Sequence, residues 1–196
     1  MKRDQNKMRG FSLVELLIAI AISGIVLGAV SSLFIMQNKS YSVQEQVAEM
    51  QQNARAAMDI MTREIRMAGC DTTGSANAGI VSVTSNSINF TQDTNGDGDT
   101  SDANENITYS LYTSSGIQKI GRNTGGINQP VAENIQALTF AYYDSNGNTT
   151  AILANIRQIE LTITARTANP DPEYTTNGGY RTYTLTSLIT PRNLAY

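Results

Sequence analysis

An α+β fold, with one long N-terminal helix packed on an antiparallel β-sheet, is what this sequence predicts. Three observations predict it. Residues 11–36 are an almost unbroken apolar run, an amphipathic stripe continues it to about residue 69, and the rest alternates apolar and polar residues between turn signals. The chain has 196 residues and is 40% hydrophobic, but much of that hydrophobicity sits in the first run. The remainder, rich in Ser, Thr, Asn and Gly, can build only a modest core, one sheet thick.

The apolar run reads FSLVELLIAIAISGIVLGAVSSLFIM. As a helix it reaches ~39 Å, enough to cross a hydrocarbon core of ~30 Å with some tilt. A secretory signal peptide would be shorter and followed by a small-residue cleavage site. Here the helical pattern continues, so the segment is expected to remain as an anchor. Glu15 is the anomaly, a carboxylate set among Leu13, Val14, Leu16, Leu17 and Ile18. An ionisable group inside a span is costly and points to function, although near the interface it can also reach water. Gly24 and Gly28, with Ala21, Ser31 and Ser32 nearby, give small faces for close helix packing.

Charge divides the chain further. Lys2, Arg3, Lys7 and Arg9 crowd residues 1–10 beside Asp4, leaving 10 basic and 16 acidic residues in the rest. An acidic body without a basic run argues against nucleic acid as a partner. There is no His and one Cys, so histidine triads and Cys-cluster or His-ligated zinc sites are excluded from this chain alone. Cys70 reads as a small, partly buried residue at the helix end.

Beyond residue 36 the stripe runs through Val43, Val47, Met50, Ala54, Met58, Met61, Ile65 and Ala68, at spacings of three and four. Arg55 to Asp59 and Asp59 to Arg63 are expected i,i+4 pairs on the outer side. Gly69 is the expected C-cap. The pattern predicts one helix over 11–68, about 58 residues and ~87 Å. Strands are predicted over 80–85, 87–91, 107–112, 116–120, 135–143, 157–166 and 180–189, paired antiparallel because most connections are short. The segment Asp144-Ser145-Asn146-Gly147-Asn148 is a strong hairpin turn signal after 135–143. Residues 167–179 form a surface loop.

Residues 93–105 are an acidic loop that resembles a calcium site. Asp93, Asn95, Asp97 and Asp99 occupy its first, third, fifth and seventh positions, with Gly98 at the sixth, where the chain must turn sharply. The twelfth position, where a bidentate Glu belongs, is Asn104; Glu105 is one later, and Asp102 lies between. No helices flank the loop. Its other reading is an acidic, solvated turn between strands.

The start of the apolar run carries a resemblance. Met8-Arg9-Gly10-Phe11-Ser12-Leu13-Val14-Glu15 is similar to the prepilin-type signal of type IV pilin-like proteins: a basic leader ending in Gly, then Phe, then Glu fifth from that Phe. The resemblance implies cleavage by a prepilin peptidase between Gly10 and Phe11, and N-methylation of the new amine. Glu15 would then neutralise the Phe11 amine of a neighbouring subunit, so that neither charge stays bare in an apolar bundle. Before cleavage the basic leader would hold the helix start at the cytoplasmic face. The stretch 52–69 and the end Thr190-Pro191-Arg192-Asn193-Leu194 resemble the PilW-type minor pilins. Many pilins carry a proline further along this helix, and here none occurs before Pro130. The C-terminal disulfide loop of many major pilins is also missing, which favours a minor subunit.

The organisation expected is therefore a cleaved leader over 1–10, a membrane and filament-core helix over 11–36, its amphipathic continuation over 37–69, and a periplasmic sheet domain over 70–196. The implied partners are other pilin subunits, the prepilin peptidase, the inner-membrane assembly platform and the membrane. The implied function is a minor pilin-like subunit of a type IV pilus. The alternatives are a minor pseudopilin of a type II secretion system or a membrane-anchored calcium- or ligand-binding module. An enzyme is not expected, because no catalytic constellation can be named.

Overall fold

The computed structural model describes residues 10–194; the four basic leader residues lie outside them. The chain divides into two compact units, Met1–Gln44 and Glu45–Tyr196. A single helix, α1 (Leu13–Arg66), contributes to both. It is two residues shorter at each end than the periodicity predicts. Ser12 caps its start, and Met67, Ala68 and Gly69 form a closing turn in which the amides of Ala68 and Cys70 bond the carbonyls of Ile65 and Met67. Gly69 takes φ +78°, which suits a residue without Cβ, and a Cβ there would meet Leu194 at 2.6 Å.

In the second unit the stripe becomes the core. Met50, Ala54, Ala57, Met61, Ile65 and Ala68 are buried, whereas Met58 is only partly covered. Arg63 pairs with Asp59 at 2.7 Å as expected. Arg55 does not pair with Asp59: its guanidinium lies over the Tyr183 ring, 5.9 Å from the centroid. The face of the aromatic ring attracts the cation, and Arg55 Nη2 also reaches the Tyr183 hydroxyl at 3.5 Å.

Among the described residues eight strands follow, all paired antiparallel, in two sheets instead of the one expected. The first sheet takes β1 (Ile80–Val83), β2 (Ser87–Thr91), β3 (Asn106–Ser114), β4 (Ile117–Asn123) and β5 (Gln129–Glu133) in sequence order. The second takes β6 (Ile135–Tyr143), β7 (Gln158–Arg166) and β8 (Thr182–Ile189). The break falls at Asn134, whose φ of +57° turns the chain between β5 and β6. Asn tolerates that left-handed region better than most residues. The sheets are stitched where the Phe140 amide bonds the Ser85 carbonyl at 2.8 Å and the Tyr142 hydroxyl bonds the carbonyls of Thr84 and Ser87.

The Asp144–Asn148 turn forms, with Asp144 accepting the amides of Asn146 and Asn148, but it folds the chain back only as far as a Tyr143–Thr149 bridge. The true partner of β6 is β7, reached after a 3-10 turn at Leu153–Asn155. Alternation decides which faces are buried. In β7, Ile159, Leu161, Ile163 and Ala165 point into the core while Thr162 and Thr164 point out. At the far end Leu194 packs against the core, and the Arg192 amide bonds the Arg66 carbonyl at 3.1 Å. The tail thus satisfies one of the carbonyls that the end of α1 leaves open.

Candidate assembly site at the start of the helix

The first described residues carry the predicted processing junction. Gly10, Phe11 and Ser12 precede α1 in non-helical backbone, and all three are exposed. A Cβ added at Gly10 would meet nothing within 4 Å. The Gly10–Phe11 bond is therefore accessible along an open strand of chain.

Ser12 and Glu15 then close on each other. The Ser12 amide donates to Glu15 Oε2 at 2.8 Å and the Ser12 hydroxyl to the same oxygen at 2.9 Å, while the Glu15 amide reaches Ser12 Oγ at 3.3 Å. The Ser12 carbonyl accepts the Leu16 amide, so Ser12 is the N-cap and Glu15 the third helical residue. This is a capping box, in which two orphan donors are satisfied reciprocally. The sequence reading missed it, although Ser12-x-x-Glu15 before an apolar run is its written signature. Among the described residues Glu15 Oε1 has no hydrogen-bond partner, so one carboxylate oxygen faces outward.

Within this unit the apolar side chains have nothing to pack on. Every large apolar residue from Phe11 to Met36 is at least 53% exposed. So extensive an apolar surface marks a membrane or protein contact. α1 is long and apolar enough to cross a membrane by length and composition. Gly24 and Gly28 each face open space, where a Cβ would meet nothing within 4 Å. Ser32 turns back to bond the Gly28 carbonyl at 3.0 Å.

The acidic loop is built differently from a solvated turn. Asp93 and Glu105, its first and last predicted ligands, are buried. Asp93 accepts the amides of Gly96 (2.6 Å) and Gly98 (3.2 Å); Glu105 accepts the amide and hydroxyl of Thr94. Their oxygens hold the loop's own backbone, which is how buried carboxylates are kept satisfied. Asn95 uses its side-chain amide to bridge Asp97 (3.0 Å) and Asp102 (2.7 Å). The Asp99 amide and the Asn95 side chain hold the Asp97 carboxyl below its usual range, while Asp97 beside it pushes Asp102 up. Asp99 caps Ser101 instead of turning inward. Among the described residues no group of three or more His, Cys, Asp or Glu side chains is arranged to hold a metal ion.

A further polar cluster was not read from the sequence. Glu64, on α1, accepts the Tyr109 hydroxyl at 2.6 Å and the Arg122 Nε at 2.9 Å. Arg122 also donates to Asn104 Oδ1, linking the acidic loop to the helix. Burial, then the hydrogen bond to Glu64, keeps the Tyr109 phenol protonated well above its ordinary range. One glutamate on an amphipathic helix looks like its solvated neighbours, and only the tertiary fold reveals its partners.

An exposed apolar helix that is capped just after a Gly-Phe junction and runs on into an α+β head fits a type IV pilin-like prepilin. Residues 5–31 match the prokaryotic N-terminal methylation motif. Residues 43–187 match the family described as prepilin peptidase-dependent protein B, and the chain belongs to that family. Among solved structures it is similar to a type IV-like pilin, TTHA1219, from Thermus thermophilus: 13% identity, TM-score 0.45, covering 74% of this chain and 98% of that one. No curated protein sequence matches it.

Proposed function

We propose that this chain is a minor pilin-like structural subunit, cut by prepilin peptidase between Gly10 and Phe11, methylated at Phe11 and incorporated into a type IV pilus. Before assembly it is held in the inner membrane by residues 11–36, with its head in the periplasm. The observation that carries this reading is the geometry of the junction. The scissile bond lies just outside a helix whose cap uses one oxygen of Glu15 and leaves the other outward. That second oxygen supports pairing with the Phe11 amine of an adjacent subunit, with Gly24 and Gly28 admitting a close neighbouring helix. The resemblance of the 52–69 stretch and of the C-terminal segment to PilW-type minor pilins supports the minor role, as does the single, unpaired cysteine. Its work in this reading is assembly, through the platform and the other pilins, and not catalysis.

The test is mass spectrometry of the chain from sheared surface filaments and from membranes of peptidase-competent cells. N-methylated Phe11 as the first residue, in the filament fraction, is expected. Only the intact Met1 form would contradict processing; processed chain confined to the envelope, with loss of secretion on deletion, would assign it to a secretion pseudopilus.

Calcium at the acidic loop belongs to the same proposal as an added ligand. The crowding of Asp97, Asp99 and Glu105 around Asp102, which raises its affinity for a proton, supports it, since a hard cation would relieve that repulsion. Loading would require the Asn95 amide to release Asp97 and Asp102. A higher melting temperature of the full chain in millimolar calcium than in chelator, abolished by Asp97→Ala, is the expected result; identical melting leaves the loop a backbone-capped turn.

A further inference from the structure

Three Asn-Gly pairs occur in the chain, Asn95-Gly96, Asn146-Gly147 and Asn177-Gly178, and all six residues are exposed. Asn followed by Gly is chemically labile: with no Cβ in the way, the following amide nitrogen can reach the side-chain carbonyl carbon. The sequence ranks the three pairs alike, but the fold restrains two of them. Asn95 is held at both ends of its side chain, since Nδ2 donates to Asp97 (3.0 Å) and Asp102 (2.7 Å) and Oδ1 accepts the Asp97 amide (3.0 Å). The Gly96 amide, which would have to attack, donates to the buried Asp93 carboxylate at 2.6 Å, a short charge-assisted bond. Asn177 is clamped against Gln136, donating to its Oε1 at 3.1 Å and accepting from its Nε2 at 3.2 Å, with a further bond to the Tyr180 carbonyl at 3.3 Å.

Asn146 has no such restraint. It lies in the middle of the Asp144–Asn148 turn, and its side-chain amide makes no hydrogen bond among the described residues. Only its backbone N–H is engaged, donating to Asp144 Oδ1 at 2.8 Å. The Gly147 amide donates to the neutral Asp144 carbonyl at 3.2 Å, at the long end of the range for such bonds. Gly147 sits at φ +80°, and a Cβ there would meet nothing within 4 Å, so the turn stands clear of its surroundings.

We infer that Asn146 is a self-modification site, converted by water to a mixture of aspartate and isoaspartate without an enzyme. The Gly147 nitrogen loses its proton to solvent and bonds to Asn146 Cγ; the bond from Cγ to Nδ2 breaks, and ammonia leaves with a proton from solvent. Water then opens the cyclic imide at either carbonyl. Opening at the former side-chain carbonyl restores the ordinary backbone, as aspartate. Opening at the backbone carbonyl leaves the chain running through the side-chain carbon, as isoaspartate. One water is consumed and one ammonia released, with no change of oxidation state. Either product puts a second negative charge in the turn beside Asp144, whose own carboxyl is held below its usual range by the amides of Asn148 and then Asn146. The isoaspartate form also adds a methylene to the main chain, which breaks the spacing that lets Asp144 accept both amides.

The test incubates the full chain in detergent, folded in one sample and denatured in another, in warm, mildly alkaline buffer, and follows its peptides by mass spectrometry. The mass gain of replacing NH2 by OH marks conversion, and labelling by an isoaspartyl methyltransferase identifies the isomerised product. In the denatured chain the three pairs should react at similar rates, since Thr94, Ser145 and Thr176 precede them. In the folded chain Asn146 should react about tenfold or more faster than Asn95 or Asn177, whose side chains must first give up their hydrogen bonds. Gln136→Ala, which removes the Asn177 clamp, should raise conversion at Asn177 by about tenfold and leave Asn146 unchanged. Equal rates at the three pairs of the folded chain, or an Asn146 that persists there while the denatured chain is converted, would overturn the inference. So would a Gln136→Ala chain in which Asn177 stays as slow as in the parent.

Discussion

The first unit and the head obey opposite rules. Along residues 11–44 the backbone is satisfied by one helix and its Ser12–Glu15 cap, but almost no side chain is covered. From Glu45 onward the same helix has a buried stripe, two sheets close over it, and even Glu64, Asp93 and Glu105 find internal partners. The head therefore contains the reasons for its own fold. The first unit leaves its apolar side chains exposed, and in the proposed reading a bilayer or neighbouring helices cover them.

The largest effect that would break this contrast is truncation. A fragment beginning at Gln37 should keep a cooperative melting transition while losing membrane association completely; a fragment that fails to fold would show that the head depends on the anchor. Next comes Glu64→Ala, which strands the Tyr109 hydroxyl and the Arg122 guanidinium against α1. It should cost the head roughly 2–3 kcal/mol, read by denaturant melting, with processing at Gly10 unaltered. Ser12→Ala should lower helix stability locally by about 1 kcal/mol, seen as faster amide exchange over residues 13–16, with head melting unmoved.

The smallest effect sharpens the electrostatics of the acidic loop. The carboxyl of Asp102 is raised by Asp97 first, then by burial and by Glu105 and Asp99. A raised acid binds its proton more readily in the folded chain than in the unfolded one, so its contribution to stability is lost as pH climbs through its titration. Asp102→Asn should then melt slightly higher than the parent at neutral pH, and the gap should close in acid, where Asp102 is protonated. A gap that persists at low pH would assign the effect to something other than charge.

Much of this was legible in the sequence because the signals were local. Residues 87–91 and 135–143 are β2 and β6 as the alternation predicts, and the Gly-Phe-x-x-x-Glu start announced the prepilin class. β5 was missed because Pro130 and a length of five residues look like loop. The split into two sheets turned on the backbone of one residue, Asn134, which no periodicity records. The acidic loop matched a ligand spacing, but the fold uses Asp93 and Glu105 to hold its own amides; spacing cannot distinguish a carboxylate that binds a cation from one that caps a turn. Glu15 stands out in the sequence by its charge within an apolar run, whereas its capping role rests on the ordinary Ser12-x-x-Glu15 pattern.

The measurement closest to the central claim is a comparison of Glu15→Ala with the parent chain in three readouts from one culture: membrane level, head melting and filament content. The account predicts equal membrane levels and equal melting, with the filament fraction down by about tenfold or more because the neighbouring Phe11 amine loses its counter-charge. Normal filament content for Glu15→Ala, or a loss of head stability in step with it, would contradict the division of labour between the helix start and the head.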